Sequence, residues 1–275
     1  MQKYLNSVLL SALKNAALPN EKSHKGQNGK LLIVGGSNLF HAASKWSLDV
    51  ASKIVDMVFY ASTPDKNQLI KEAKQQFWNG IVIERRQIEN YLKEADVVLI
   101  GPGMERSFYT QRLVNRLLKK YPTKKWVVDA GALQMLEVKF LNQNHIITPH
   151  HQEMTLLQSK SEQFAEKNYQ ANCYCLLKGP IDQIFTPQNH QAFEVEGGNA
   201  GMTKGGTGDV LAGLLAALYC SNSALNSCLI ASYVNKKAGD ELHLQQGPFF
   251  NSSDLVEKIP EVLWQVLQQV KTAKT

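Results

Sequence analysis

The sequence is most constrained by a regular alternation of strand and helix patterns that begins at residue 30. Parallel strands need crossover connections of a dozen or more residues, usually helices, so this alternation predicts an α/β fold. We expect a doubly wound, mostly parallel sheet with helices on both faces. Strands are predicted at Leu31–Val34, Met57–Tyr60, Ile81–Ile83, Val97–Ile100, Trp126–Val128 and Ile146–Ile147. The helices between them are predicted at Ala42–Ile54, Asp65–Trp78, Gln87–Lys93 and Arg106–Lys120.

The pattern changes after residue 172, where strand-like segments follow each other closely. Strands separated by short turns are typical of antiparallel pairing, so we expect an antiparallel edge on the sheet. These strands are predicted at Cys173–Leu177, Gln183–Thr186 and Ala192–Val195, followed by helices at about 207–220, 222–243 and 252–270. No linker-like composition or internal repeat interrupts the chain, and we expect residues 1–275 to form one domain.

The composition excludes several other classes of protein. With 44% hydrophobic and 20% charged residues, the chain can bury a core and does not have the composition of a disordered protein. Its longest apolar runs fall far short of the ~20 residues that cross a bilayer. Near the N-terminus, apolar residues at helical spacing are interrupted by Lys14 and Asn15, which favours an amphipathic helix over a signal peptide. We therefore expect a cytoplasmic protein without a membrane partner.

The net charge of +6 does not by itself indicate a nucleic-acid partner. The basic residues lack interleaved aromatic residues and a recognisable binding motif, and they are scattered in pairs that we interpret as solvated surface: Arg85-Arg86, Lys119-Lys120, Lys124-Lys125 and Lys236-Lys237. We expect no nucleic-acid partner. The four cysteines lie in apolar segments and are predicted to be buried thiols: Cys173, Cys175, Cys220 and Cys228.

The segment with the most chemical information is the glycine-rich run Gly197–Asp209, which leads directly into the apolar stretch Val210–Leu218. Glycines at 205, 206 and 208 allow positive φ and let a ligand approach the backbone, so several N–H groups can point at anionic oxygens. The helix predicted to begin near Thr207 adds its positive end to this site. Gly205, Gly206, Thr207 and Gly208 therefore form a candidate anion hole for a phosphoryl group.

Asp209 is the candidate general base. It lies in the first turn of the predicted helix, where we expect the helix dipole to keep its carboxylate ionised and within reach of a substrate hydroxyl. The structural alternative is that the glycines form only a tight turn and Asp209 only caps the helix. Neither G-x-x-x-x-G-K-[ST] nor G-x-G-x-x-G occurs at the expected places, which argues against a Walker-type NTPase and a standard Rossmann dehydrogenase.

Gly-Gly-Thr-Gly-Asp at residues 205–209, opening an apolar helix late in an α/β chain, resembles the anion-hole motif of ribokinase-like enzymes. Further segments occur in the order seen in ADP/ATP-dependent NAD(P)H-hydrate dehydratases, and the resemblance covers residues 24 to about 262. These segments are His24-Lys25-Gly26, Lys30–Ser37, Gly101–Met104, Val128–Leu133, Ile147–His150, Leu177–Gly179 and Asn199–Gly201.

The resemblance implies repair of NADH or NADPH that has gained water, with ADP or ATP consumed and Mg²⁺ assisting. The S epimer of the hydrate would be phosphorylated on its ring hydroxyl and would then eliminate phosphate. Asp209 would take the hydroxyl proton. Ala42, Gly103, His150 and Asp209 would bind the hydrate, and the adenine nucleotide would contact Lys178, Gly179, Pro180, Ile181, Asp182 and Gly208. The resemblance also implies self-association, with a tetramer as one form.

Some positions depart from the family pattern, namely His41, Ile54–Asp56 and His151-Gln152, and we expect these changes near the hydrate site. A small-molecule kinase of the same fold, acting on a hydroxymethylpyrimidine, thiazole or pyridoxal alcohol, therefore stays an alternative. Another is a non-catalytic nucleotide-binding module. The sequence leaves open the choice between ADP and ATP, the choice between NADH and NADPH hydrate, the number of subunits, the metal ligands and the role of Asp129. Glu153, Asn199 and Thr203 are further polar candidates, although an Asx turn or an exposed helix face would also explain them.

Overall fold

The computed structural model describes residues 7–62, 75, 79–166, 169–187 and 189–272. Within these residues the strands form one sheet in the order β3-β2-β1-β4-β5-β6-β7-β8-β9. The strands are β1 Lys30–Gly35, β2 Met57–Ser62, β3 Ile81–Ile83, β4 Val97–Ile100, β5 Lys125–Val128, β6 His145–Ile147, β7 Tyr174–Leu177, β8 Asp182–Thr186 and β9 Asn189–Val195. Pairs from β3 to β7 are parallel, whereas β7–β8 and β8–β9 are antiparallel. The predicted fold class, including its antiparallel edge, is confirmed.

The helices of the described residues follow the predicted pattern closely. They are α1 Ser7–Lys14, α2 His41–Ala51, α3 Ile88–Glu94, α4 Phe108–Lys120, α5 Ala130–Met135, α6 His151–Lys160, α7 Thr207–Ser221, α8 Ala224–Gln246 and α9 Ser252–Thr272. The predicted helix Asp65–Trp78 lies outside the described residues, apart from residue 75. Helix α4 begins two residues later than predicted because the Ser107 side chain accepts a hydrogen bond from the Thr110 N–H and caps the helix there.

The sheet is buried on both faces, which explains why its central strands are continuously apolar in sequence. In β1, Leu31 and Ile33 face a core formed with α1, α2, α7, α8 and α9, whereas Leu32 and Val34 face the core on the opposite side, with α3, α4, α5 and α6. Helix α7 is almost entirely buried. Its position is therefore fixed by packing along most of its length.

The strand order places a crevice at one edge of the sheet. The chain runs outward from β1 through β2 to β3, returns to β4 on the other side of β1, and then continues toward β9. Open α/β sheets bind ligands at such a switch point, outside the carboxyl ends of the strands. This edge carries the residues that follow β1, β4, β5, β6 and β7.

Two details concern the surface and the thiols. No helix in the described ranges is long and apolar enough to span a membrane. The four cysteines are free thiols, with Cys173, Cys175 and Cys228 buried and Cys220 half-buried. The prediction of buried thiols is confirmed for the first three and partly for Cys220.

Candidate functional site

The start of α7 is shaped by a glycine that no other residue can replace without strain. Gly206 has φ +96° and precedes the helix, and a Cβ atom built on it would collide with the ring of Trp46. The loop around it is held by side chains, since Ser252 Oγ donates to the Gly205 carbonyl (2.9 Å) and Thr207 Oγ1 donates to the Met202 carbonyl (2.7 Å). The conformation is therefore built into the surrounding packing.

This loop leaves backbone donors free at the positive end of the helix. The first helical hydrogen bond runs from the Val210 N–H to the Gly206 carbonyl at 3.0 Å. The N–H groups of Gly208 and Asp209 bond to no other described residue, and the Thr207 N–H reaches only the Lys204 carbonyl, at 3.4 Å. Unpaired N–H groups at a helix start are typical of anion sites, so the start of α7 is the candidate anion site.

A buried ion pair lies beside this helix start. Lys178 Nζ donates to Asp129 Oδ1 at 2.9 Å, and Thr148 Oγ1 donates to the same oxygen at 2.8 Å. A Cβ atom on Gly208 would lie 3.4 Å from Lys178 Nζ, so the ammonium group is next to the anion site. Burial alone would lower the pKa of Lys178. The neighbouring carboxylates of Asp129 and Glu153 raise this pKa by more, so that it lies above its ordinary value. The lysine therefore stays charged.

Asp209 differs from expectation in its ionisation. Burial, with the Asp129 carboxylate second, raises the pKa of Asp209 from 3.8 to about 7, although Lys178 acts in the opposite direction. The predicted dipole effect does not keep this carboxylate fully ionised at neutral pH, because desolvation and a like charge outweigh it. A carboxyl that titrates near neutrality is suited to exchanging a proton with a substrate.

Asp129, whose role the sequence left open, directly precedes α5 but does not cap it, because its side chain makes no hydrogen bond to the first turn of that helix. The carboxylate instead holds Lys178 and raises the pKa of Asp209.

The predicted nucleotide residues surround a cavity of about 600 Å³ next to the anion site. Its lining includes the predicted residues His150, Lys178, Gly179, Pro180, Asp182, Thr207 and Gly208, together with Gly197, Gly198, Asn199, Met202, Leu211, Asn235 and Lys236. Predicted residues that do not line this cavity are Ala42, Gly103, Ile181, Gly205, Gly206 and Asp209.

The two loops that border the cavity are tied together by a lysine that the sequence analysis placed on the surface. Lys236 is 5% exposed, and its Nζ donates to the carbonyls of Gly179 (2.9 Å), Pro180 (3.0 Å) and Gly197 (3.1 Å). Its interpretation as solvated surface is wrong. Asp182 is another predicted nucleotide residue. Its carboxylate is used within the protein, where it accepts hydrogen bonds from Ser232 Oγ and the Gly179 N–H.

His150 combines a structural bond with a place in the cavity wall. Its Nδ1 accepts from the Glu153 N–H at 3.3 Å, while the Glu153 carboxylate accepts from the His150 N–H at 3.0 Å, a reciprocal cap at the start of α6. Glu153 is buried, so an exposed helix face does not explain it. Asn199 forms the expected Asx turn, since its Oδ1 accepts from the Gly201 N–H.

Comparison with known proteins now decides the family. A family model described as NAD(P)H-hydrate dehydratase matches residues 31–261, which include the whole of the site described above. The chain belongs to the NAD(P)H-hydrate dehydratase family. The resemblance noted in the sequence is thereby confirmed.

The relatives of this family member include proteins of two lengths. It is 35% identical over 258 residues to the bifunctional NAD(P)H-hydrate repair enzyme Nnr of Methanocaldococcus jannaschii, covering 91% of this chain and 51% of that protein. It is 31% identical to the ADP-dependent (S)-NAD(P)H-hydrate dehydratase of Nitrosopumilus maritimus, covering 93% of this chain and 96% of that protein. The chain thus spans about half the length of the bifunctional relatives.

The fold is shared with solved structures of low sequence identity. A ribokinase-like superfamily protein from Enterococcus faecalis V583 superposes with a TM-score of 0.80 at 20% identity, covering 94% of each chain. At this identity the likeness shows the fold alone, and it confirms the predicted ribokinase-like architecture.

In this family member, the loop that contains the predicted hydrate residue Gly103 lies against the start of α2, the helix that contains Ala42. A Cβ atom on Gly103 would press on the Phe40 carbonyl and lie 3.2 Å from Ala43 Cβ, so the loop after β4 packs on the start of α2. Ser47 of the same helix donates to the Asp209 carbonyl at 2.7 Å. Asp209 therefore lies between α2 and the ion pair that borders the cavity.

One of the three departures from the family pattern does not fall where we expected it. Ile54–Asp56 precedes β2 and therefore lies at the opposite edge of the sheet, where the Asp56 carboxylate accepts N–H bonds from Gly26, Gln27 and Asn28. His151 lies beside the nucleotide loop, with its Nε2 3.2 Å from where a Gly179 Cβ would be. His41, the first residue of α2, stays close to the predicted hydrate residues.

Proposed function

We propose that this protein dehydrates the S epimer of hydrated NADH or NADPH, with ADP or ATP as the phosphoryl donor. One observation carries the proposal: the free N–H groups of Gly208 and Asp209, the charged Lys178 and a carboxyl with a pKa of about 7 all meet at the start of α7. This arrangement supplies an anion site and a base within the same turn of chain. The names of the relatives supply the substrate class, which the geometry alone leaves open.

In the first step, the Asp209 carboxylate takes the proton of the ring hydroxyl, and the hydroxyl oxygen attacks the terminal phosphorus of the nucleotide. The bond from that phosphorus to the bridging oxygen breaks, which releases AMP from ADP or ADP from ATP. Charge builds up on the transferring phosphoryl oxygens, where the N–H groups of Gly206–Asp209 and the Lys178 ammonium would stabilise it. Asp209 holds one proton at the end of this step.

In the second step, the ring nitrogen lone pair expels phosphate, a far better leaving group than hydroxide. Transfer of a proton from the adjacent ring carbon to the departing phosphate would then restore the dihydropyridine. Ala42, Gly103 and His150 would hold the ring so that its hydroxyl faces Asp209. Orienting both reactants in this way removes most of the entropic cost of the transfer.

Mg²⁺ fits this site only as part of a metal–nucleotide complex. Within the described ranges, no three His, Cys, Asp or Glu side chains come together as a metal site. Mg²⁺ usually needs just one or two carboxylates besides substrate phosphates and water. Asp129 is the carboxylate that would hold it, through Oδ2, because Oδ1 already accepts hydrogen bonds from Lys178 and Thr148. When bound, the ion would neutralise charge on the phosphates.

The remaining parts of the proposal concern the whole protein. We propose that residues 1–275 act as a single ribokinase-like domain, that the protein is cytoplasmic, where reduced nicotinamide nucleotides occur, and that it forms a homo-oligomer such as a tetramer. Gly205, Gly206, Thr207 and Gly208 would hold the phosphoryl group. Lys178, Gly179, Pro180, Ile181, Asp182 and Gly208 would contact the nucleotide, with Asp182 acting by shaping its loop.

The test is to incubate the protein with hydrated NADH, Mg²⁺ and either ADP or ATP and to follow the return of dihydronicotinamide absorbance. Asp209→Asn should lower the rate by about 10²–10⁴-fold, the usual contribution of a general base. Asp49→Asn is the matched control, because the Asp49 carboxylate forms an ion pair with Lys45 of the same helix, α2. Release of a stable phosphorylated alcohol instead would indicate the small-molecule kinase, and nucleotide binding without turnover would indicate the non-catalytic module.

A further inference from the structure

One face of helix α8 borders the cavity, to whose lining it contributes Asn235 and Lys236. The residues of this face recur at helical spacing and are mostly polar: Ser232, Asn235, Lys236, Gly239 and Asp240. The preceding helix, α7, contributes Leu211 to the same cavity, one turn after Gly208. The cavity thus extends from the anion site to α8.

The polar neighbours of Asn235 on this face are each used to hold a loop. Ser232 Oγ donates to Asp182 Oδ2 at 2.7 Å, and Lys236 bonds to three carbonyls of the two loops that border the cavity. The Asp240 carboxylate accepts from the Gly198 N–H at 3.0 Å and from Asn199 Nδ2 at 3.0 Å. These bonds account for the polar character of the face at those positions.

Asn235 differs from them. It is 4% exposed and lines the cavity, yet its Oδ1 receives a hydrogen bond from no residue that the structure describes. A buried carboxamide without a partner costs free energy, and such groups are rare in folded proteins unless something else satisfies them. Because Oδ1 itself is fully buried, a rotation of the carboxamide is needed to turn it toward the cavity, where a polar partner would remove this cost.

The surroundings of Asn235 indicate the chemistry of that partner. The cavity has apolar walls formed by Leu211, Met202 and Pro180. At Gly198 the wall is bare backbone, because glycine has no side chain. Such walls suit a flat aromatic ring. A carboxamide carries one acceptor and one donor group side by side, which match the 6-amino group and the neighbouring ring nitrogen of adenine. Guanine and hypoxanthine present a carbonyl oxygen in place of the amine.

We propose that Asn235 is a specificity-determining residue that binds the 6-amino edge of adenine. The inference rests on the proposed function, because that function places a nucleotide in this cavity with its phosphates at Gly208. It adds the part of the site that selects the base. Asn235 Oδ1 accepts from the amine, and Nδ2 donates to the ring nitrogen.

The test measures nucleotide affinity by calorimetry and needs no hydrate. Three ligands are compared: ADP, IDP, in which a carbonyl replaces the 6-amino group, and the diphosphate of purine riboside, in which hydrogen replaces it. ATP is titrated as well, to test nucleotide binding itself. We expect the wild-type protein to bind ADP about 10- to 100-fold more tightly than either analogue, since each leaves the carboxamide partly unpaired. Asn235→Ala should weaken ADP binding by a similar factor and leave IDP binding nearly unchanged. The variant should therefore no longer prefer ADP.

Asn226→Ala is the matched control, because Asn226 lies in the first turns of α8 and does not line the cavity. It should keep the wild-type preference. Equal affinity of the wild-type protein for the three ligands would overturn the proposal without any variant, as would an Asn235→Ala protein that still prefers ADP. If wild-type protein binds neither ADP nor ATP, the proposed function itself fails. Binding of ADP that does not depend on Asn235 refutes only the inference about the base.

Discussion

The ionisation of Asp209 leads to a prediction for the pH dependence of the reaction. The carboxyl acts as a base only when ionised, and its pKa in the folded protein is about 7. The ionised fraction is then about nine tenths at pH 8, about one tenth at pH 6 and about one hundredth at pH 5. The rate should therefore fall about tenfold for each pH unit below 7.

The assay is kcat/KM for the hydrate, measured from pH 5 to 8.5 with nucleotide at saturating concentration at every pH. Separate binding titrations establish that saturation holds, because nucleotide phosphates themselves titrate near pH 6. Bound phosphates carry negative charge, which moves the midpoint of the acid limb upward, and Mg²⁺ bound with them offsets part of this effect. A rate that is flat from pH 8 to 5.5, or a midpoint near the ordinary value of about 4, would refute this assignment.

A variant separates two causes of the raised pKa of Asp209, namely burial and the charge of the Asp129 carboxylate. Asp129→Asn removes a negative charge that raises the pKa of Asp209, so the midpoint of the acid limb should move to lower pH. Glu137→Gln is the control, since that carboxylate is half exposed and pairs with Lys139 at the surface. It should leave the midpoint in place. If the midpoint in Asp129→Asn equals that of the wild-type protein, the charge of Asp129 does not raise the pKa of Asp209.

Further predictions concern stability and the nucleotide loops. Gly206→Ala should cost at least about 1–2 kcal/mol of folding stability and weaken nucleotide binding, since its backbone is left-handed; denaturant unfolding and calorimetry measure the two effects. Lys236→Met should cost about 3–5 kcal/mol, because it leaves Asp182 buried without its cation, whereas Lys237→Met should cost far less; urea unfolding separates them. Asp209→Asn should raise the melting temperature at pH 8 and by less at pH 5, because a carboxyl whose folded pKa is raised loses stability as pH rises from 3.8 through about 7.

The fold could be predicted from the sequence because its signals are local. Buried parallel strands are continuous apolar runs, and the segments between them are long enough only for helices. The start of α7 was equally clear, since Gly206 must adopt positive φ and an apolar helix follows at once. These signals predict the position of each element along the chain and the edge of the sheet at which each loop emerges.

The polar residues of the site could be predicted only in part, because their roles depend on contacts between distant segments. Lys236 bonds to Gly179, 57 residues earlier, and nothing beside it in sequence marks it as buried. The pKa of Asp209 depends on Asp129 and on burial, neither of which is visible in the first turn of a helix. The location of Ile54–Asp56, in contrast, follows from the order of the strands and helices. Because α2 runs back from the end of β1 to the start of β2, the topology alone places that segment at the far edge.

Helix α7 links the two ends of the proposed nucleotide site. Its first turn supplies the N–H groups of Gly208 and Asp209, and Leu211 reaches the cavity where Asn235 lies. Because the helix is buried along most of its length, it cannot shift without disturbing the core. The distance from the anion site to the base pocket is therefore fixed by packing. With the base held at one end, a diphosphate and a triphosphate place their terminal phosphorus at different distances from Gly208. The choice between ADP and ATP is thus a question of span, decided at the phosphate end of the cavity and not by recognition of the base.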